Sequence, residues 1–433
     1  MKTRKMKNVW LLIGCMGLLS LSSCNDDDSA YVLQKEDIQV VQPEGGFVAN
    51  IDQLYRIEVT SVNDENISYQ WSVDGEQVSV LKNFEYIFEK GGEYVVTLKA
   101  IQGELSYEYT FNVKVEFEDV ETVVPEGATA YITKVLDYLP AVGQFVNTLP
   151  KYEEGNTQED MNQKVLDAIG NNKRGMITLG GFGGYVVVGF DHTIVNRSGL
   201  RDFRVLGNSF FAAANPDVNA PEGGSCEPGV IMVAYDQNKN GVPDENEWYE
   251  IAGSAYNDAL SEPWYEKAVK AGNDVNTYHN YEITYYRPES EPNPPYDDYI
   301  RWTDNLGNSG YKVKNIYHSQ SYYPQWVDSD NITFKGTCLP QNAVDESGQG
   351  TYYVLYKFQY GYADNDLNTT DGSAIDIDWA VNDKGQKVHL PGVDFVKVYT
   401  GVNQENGWLG ECSTEILGVE DLHVLGLEIT SFE

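Results

Sequence analysis

Short runs of alternating side chains, each closed by turn residues, recur along most of this chain. They constrain its fold more than any other feature. Ser68–Val73 places Tyr69, Trp71 and Val73 on one face, and the stretch from Tyr94 places Tyr94, Val96, Leu98 and Ala100 on one face. A period of two is the signature of a strand with one buried side. Further runs of strand-forming residues lie at Tyr55–Val59, Tyr107–Val113, Tyr185–Asp191, Val230–Tyr235, Tyr281–Tyr286, Tyr352–Phe358 and Phe395–Thr400. Asp74-Gly75 and Gly91-Gly92 supply turns between the early ones. No self-similarity at the length of a solenoid or propeller repeat is present. The fold class is therefore mostly β.

The runs divide into two groups. Residues 35–118 read as a small immunoglobulin-like β-sandwich, and residues 175–433 as a larger jelly-roll β-sandwich with long loops and a few short helices. Between them, 119–174 reads as a linker and a helical entry segment. There Tyr131, Ile132, Val135, Leu136 and Leu139 fall at helical spacing before Pro140, and Met161, Val165, Ala168 and Ile169 predict a second short helix. Gly180–Gly184 is glycine-rich but precedes a strand and lacks the Gly-Lys-Ser/Thr of a phosphate loop. It therefore reads as a tight turn.

The N-terminus carries a different signal. Lys2, Arg4, Lys5 and Lys7 precede an apolar run from Val9 to Leu19, too short to cross a bilayer as a helix. Leu21-Ser22-Ser23-Cys24 follows and resembles a lipobox, which predicts cleavage after residue 23 and lipidation of Cys24. The acidic run Asn25-Asp26-Asp27-Asp28 makes residues 24–34 a solvated tether and resembles the surface-export signal of Bacteroidota lipoproteins. The expected location is the outer membrane, lipid-anchored and facing the exterior. With 30 Lys+Arg against 66 Asp+Glu, the net charge is −36, and it falls to about −40 once the leader's bases are gone. Such a surface repels nucleic acid and is hospitable to divalent cations. The cysteines beyond the tether, Cys226, Cys338 and Cys412, fit one disulfide plus a free thiol as well as three buried thiols.

One motif carries specific chemistry. Asp236 to Glu247 fits D-x-[DN]-x-[DN]-G-x5-E without a gap. A hard cation takes about six to eight oxygens. Asp236, Asn238 and Asn240 offer side-chain oxygens, Val242 its carbonyl, and Asp244 and Glu247 carboxylates. Gly241 takes the bend. The flanks read as strands rather than helices, so the expectation is a structural Ca²⁺ ion. A second acidic stretch, Asp364-Asn365-Asp366 with Asp371, Asp376 and Asp378, fits no calcium loop and reads as a solvated loop or a second cation site.

Aromatic clusters beside polar residues supply candidate ligand contacts: Tyr278, Tyr281, Trp302, Tyr322, Tyr323 and Trp326. His192, His279, His318, His389 and His423 sit in no catalytic motif, and no catalytic residues are assigned.

Two resemblances follow from these residues. Tyr69-x-Trp71-x-Val73-Asp74-Gly75, then Phe88-x-x-x-Gly92-x-Tyr94-x-Val96-x-Leu98, resembles a PKD-type domain, which implies a core tryptophan and a spacer or interaction role. Gly189-Phe190-Asp191, Trp248-Tyr249-Glu250-Ile251, Tyr360-Gly361-Tyr362 and Asp394–Gly401 resemble a family of Bacteroidota surface lipoproteins. Some members of that family accompany TonB-dependent transporters. The expected role is capture of a nutrient ligand, a glycan or a corrinoid, for such an outer-membrane transporter. An adhesin or structural surface protein and a glycan hydrolase are the alternatives.

Overall fold

The computed structural model describes residues 31–62, 66–118, 123–212 and 219–432. The leader, Cys24 and most of the acidic tether lie outside the described residues.

The first module is a β-sandwich. Its main sheet has the order Phe47–Asn50, Leu105–Glu116, Gly92–Gln102, Ser68–Val73, Glu76–Ser79. Only the first pair is parallel. Leu54–Ile57 pairs with Phe84–Ile87, and Ile38–Val40 with Val59–Ser61. Alternation dictates the packing: Tyr69, Trp71 and Val73 are buried together with Val96, Leu98 and Ala100. Trp71 is fully buried, and its ring lies 5.1 Å from that of Phe84. Its indole N–H is satisfied by the Leu81 carbonyl at 3.1 Å, as a buried indole requires. Asp74 and Gly75 both take positive φ, +49° and +88°, which matches the two-residue turn their sequence predicts.

The second region is a larger sandwich. Its centre is an antiparallel six-stranded sheet: Lys134–Leu139, Tyr185–Val195, Gly392–Thr400, Gly229–Ala234, Trp248–Ile251, Ala380–Val381. Both faces are covered, so these strands are apolar on both sides. Val186, Ile231, Val233, Val396 and Val398 enter one core, and Val230, Met232 and Tyr399 the other. Helix Gln158–Ile169 closes the first core with Met161, Val165 and Ile169. Thr157 caps that helix by accepting the Asp160 N–H, and Asp160 returns the bond in a capping box. A four-stranded sheet covers the second core, in the order Ser309–Lys314, Tyr296–Asp304, Tyr278–Tyr286, Asn331–Cys338. A second helix, Tyr265–Ala271, ends on Gly272.

Two expectations are corrected. Lys134–Leu139 is not a helix but an edge strand of the central sheet, with a bulge between Val135 and Asp137. The free edge of Tyr185–Val195 gives its backbone a full ladder, and the bulge absorbs the helix-like spacing of its apolar residues. The stretch from Asp364 is solvated only in part: Asp364, Asn365, Asp366 and Asp376 are buried, Asp378 is half-buried and Asp371 is exposed. The three cysteines are buried free thiols.

The two modules touch along a polar seam. Lys90 pairs with Asp383 at 2.9 Å and Lys384 pairs with Asp74. The Asn382 side-chain amide donates to the Gly91 carbonyl at 2.9 Å. Phe117 sets its ring edge-on against Tyr235 and Tyr249.

Candidate functional site

Three concave sites stand out among the described residues. The largest, about 880 Å³, is the groove between the modules, lined by charged residues such as Glu93, Lys114, Glu116 and Asp378 together with Val115, Val195 and Val388, and it has no Tyr or Trp ring among its described lining residues. A second, about 440 Å³, contains Tyr360, Trp379 and Phe432. Those rings spend their faces on one another, with centroids 4.6–5.2 Å apart, and on the Arg201 guanidinium. The third, about 300 Å³, is smaller but combines available rings with convergent polar groups, the composition of a small-molecule site.

This cleft is built on one end of the four-stranded sheet. Tyr278 and Tyr281 come from one strand, Trp302 and Asp304 from its neighbour, and Lys312 from the edge strand. Trp302 sits directly across from Gly310. A Cβ on Gly310 would lie 2.9–3.0 Å from three indole atoms, so only glycine lets the ring lie down over the edge strand there. Trp302 stays half-buried, and so does Tyr278. Tyr281 is nearly covered, its ring edge-on to Phe182 at 5.0 Å, with its hydroxyl at the cleft.

The polar lining is fixed by its own hydrogen bonds. The Tyr281 hydroxyl donates to Asp304 Oδ2 at 2.9 Å and accepts from the Asn403 amide at 3.0 Å. Asp304 Oδ1 also accepts the Leu306 and Asn308 N–H groups, closing the turn beside Trp302. The Tyr278 hydroxyl donates to Asp274 Oδ2 at 3.0 Å, and Asn276 donates to Asp274 Oδ1. The Gln341 amide donates to the Asn403 carbonyl at 3.0 Å. Lys312, almost fully buried, pairs with Glu405 at 2.5 Å. Behind Glu405 lies Glu411, whose carboxyl is pushed up to about 8 by burial and by the Glu405 charge. Burial raises the Tyr278 and Tyr281 hydroxyls, and Asp274 and Asp304 add to the effect. Burial also holds the Cys338 thiol at about 12, so it lines the cleft as a neutral group.

Of the six aromatic candidates, the structure brings Tyr278, Tyr281 and Trp302 to this cleft. Tyr322, Tyr323 and Trp326 are corrected to packing residues. Tyr322 and Tyr323 are each 1% exposed. Trp326 lies between Tyr138 and Tyr152, and its N–H is bound to Gln158 at 2.9 Å. Sequence reading missed Asp274, Asn276, Asp304, Asn308, Lys312, Gln341, Asn403 and Glu405. The Asp304-Asn305-Leu306-Gly307-Asn308 turn was the only local signal, because the rest converge through the fold.

The Asp236–Glu247 loop lies at the seam between the modules. Gln237, inside it, donates to Asp52 of the first module at 2.8 Å. Lys239 and Gly241 take positive φ, and the Asp236 carboxylate accepts the Asn240 and Gly241 N–H groups at 3.0 and 2.8 Å. Glu247 is buried and accepts the Gln237 and Asp244 N–H groups at 3.1 and 2.9 Å. Its carboxyl is raised by burial first, then by Asp244 and Asp236. The donor set is all hard oxygen, and like charges gather with no cationic side chain among the described residues hydrogen-bonded to them, which suits a divalent ion. The loop is more open than a closed calcium cage. Asp244 Oδ2 is taken by the Asn238 and Asn240 amides at 2.5 and 2.9 Å, and the three acids do not converge within 4.8 Å. Among the described residues the acids that do converge so closely are Glu227, Asp364 and Glu415. Backbone N–H groups of Asn208, Ser209, Ser413 and Glu415 serve Asp364 and Glu227, while the Thr178, Ser413 and Asn208 side chains serve Glu415.

Residues 37–102 match the family model described as a PKD-like domain, and the chain carries such a domain there. No curated protein matches the chain. Among solved structures, a quinonprotein alcohol dehydrogenase-like protein from Bacteroides thetaiotaomicron is 13% identical, over 22% of this chain and 20% of its own, with TM-score 0.16. Fibronectin(III)-like modules of Clostridium thermocellum CbhA are 15% identical over 21% of this chain and 50% of theirs, TM-score 0.17. The chain thus spans a fifth of the first and half of the second. The Bacteroides ovatus mixed-linkage glucan utilization locus protein SGBP-B, solved with a heptasaccharide, is 10% identical over 90% of this chain and 100% of its own, TM-score 0.18. All three scores are low.

Proposed function

We propose that this protein is a surface lipoprotein, anchored through Cys24 to the outer membrane, that captures a glycan in the Trp302 cleft for an outer-membrane transporter. One observation carries the reading: half-buried rings of Trp302 and Tyr278 stand beside hydroxyls and amides already oriented by hydrogen bonds. Rings meet the C–H faces of a sugar, and fixed polar groups meet its hydroxyls. Groups held in place before binding lose little entropy on binding. The volume, about 300 Å³, is at the lower end for small-molecule sites. It suits a short stretch of sugar chain and is too small to enclose a corrinoid macrocycle. Asp274 and Asp304 spend their oxygens on the loop's own donors, which favours binding over hydrolysis. In this reading the PKD-like module spaces the cleft from the membrane. Asp236, Asn238, Asn240, Asp244, Glu247 and the Val242 carbonyl would hold a calcium ion, which would crosslink the loop at the seam. The test is calorimetry of the leaderless protein, with calcium present, against a glycan panel and cobalamin. A saturable glycan signal lost in Trp302→Ala supports the reading. Cobalamin binding alone contradicts it.

A further inference from the structure

The charge around the cleft is one-sided. Four ionisable side chains of fixed sign line it: Asp274, Asp304, Glu405 and Lys312. Lys312 is 3% exposed, and its ammonium is committed to Glu405 at 2.5 Å. No uncommitted cation among the described lining residues is left to meet an incoming anion. Asp274 and the acidic turn of Asp304 sit at the rim, where ligand groups enter. Every other polar group lining the cleft is neutral: Asn276, Asn308, Gln341, Asn403, Gln404 and the two tyrosine hydroxyls. The pair Lys312–Glu405 cancels, and Asp274 and Asp304 remain as net negative charge. The net charge of the whole chain, −36, adds repulsion that acts at long range only when salt is low.

We infer that the cleft selects sugars without acidic groups and rejects glycans bearing uronate or sulfate. This rests on the glycan reading above. A carboxylate brought into the cleft would lose water, face Asp274 and Asp304, and find no counter-charge. Like charges juxtaposed in a binding site carry a large unfavourable term, and 1.4 kcal/mol is a factor of ten in affinity. Neutral hydroxyls are served by the side-chain amides that line the cleft, Asn276, Asn308, Gln341 and Gln404, because an amide offers both donors and an acceptor. Selectivity would then come from exclusion as much as from attraction.

The experiment titrates the full mature protein, with calcium, against glucose-, galactose- and mannose-based oligosaccharides. Each is paired with the counterpart carrying a uronic acid. The expected result is that a neutral member binds, its acidic counterpart binds about tenfold or more weakly, and the gap narrows as salt rises. In Glu405→Gln, Lys312 is freed to meet an anion, and the acidic member gains affinity relative to the neutral one. Should that variant melt early, the salt dependence of the unmodified protein decides the question. Equal affinity for both members overturns this inference and leaves the glycan reading standing. Tighter binding of the acidic member does the same. No binding of any member overturns the glycan reading and this inference with it.

Discussion

Gly310→Ala perturbs the cleft without removing any group from it. The new methyl would stand 2.9 Å from Trp302 Cζ2 and 3.0 Å from Cε2 and Nε1. Ordinary carbon contacts are about 3.5–4.0 Å, so the indole must lift by roughly 0.5–1 Å. Overpacking of a closed core costs about 1–3 kcal/mol. Trp302 is half-buried, though, and has room to move outward. Alanine also removes the entropic penalty of glycine within a strand, about 0.5–1 kcal/mol. The net change in stability should therefore stay within about 1 kcal/mol. Binding should suffer more, because the lifted ring intrudes on a cavity of only about 300 Å³. An aromatic contact at the centre of a site contributes about 1–2 kcal/mol, so Kd should rise about 5- to 30-fold. Calorimetry with the bound glycan and a thermal melt measure the two effects. If Gly310→Ala binds as the parent does while Trp302→Ala loses affinity, the ring does not depend on the glycine seat. If neither variant loses affinity, Trp302 is not part of the site.

Three further predictions concern stability. Asp236→Ala or Glu247→Ala should lower the melting temperature by several degrees in calcium and abolish its rise with the ion; a parent melt indifferent to both calcium and chelator would remove calcium from the account. His192 is fully buried with both ring nitrogens 2.8 Å from carboxylates, Asp191 and Asp421, which holds it as an imidazolium and raises its pKa. Its stabilisation is present at pH below the ordinary histidine value and fades as pH rises through the raised one. His192→Gln removes the charged partner of the buried Asp421, which keeps the His423 and Val424 N–H groups, and should cost about 1–3 kcal/mol below the ordinary histidine pKa, read by urea unfolding; a loss under about 0.5 kcal/mol there would contradict the ion pairing. Glu411 has its carboxyl raised to about 8, so its folded form is favoured when protonated, and its contribution falls as pH rises from the ordinary carboxylate range toward 8. Glu411→Gln should flatten the melting profile across that window, and a profile as steep as the parent's would show that the carboxyl is ionised throughout.

Strands were the most legible part of the fold. Ser68–Val73 and Gly229–Ala234 follow from patterns of alternation or strand propensity over a few residues, and the structure has both. The segment at Lys134–Leu139 was misread because Val135, Leu136 and Leu139 fit a helix as well as a bulged edge strand. What decided it was the unpaired ladder of Tyr185–Val195, which is distant in sequence. The cleft was half legible. Aromatic residues among polar neighbours flagged Tyr278, Tyr281 and Trp302, but the same signal flagged Tyr322 and Tyr323, which the second core absorbs. Exposure is decided by what packs on top, and local composition does not carry that. The acids Glu227, Asp364 and Glu415 are 137 and 51 residues apart along the chain yet share one buried site, so no spacing rule could have joined them.

The most direct test of the central claim is a calorimetric titration of the parent and Trp302→Ala with the same neutral oligosaccharide. Saturable binding by the parent and its loss in the variant are expected, with both proteins folded at the titration temperature although the variant, which loses a ring packed on the second core, melts somewhat earlier. Binding of equal strength in both, or none by the parent across the whole panel, would contradict the claim.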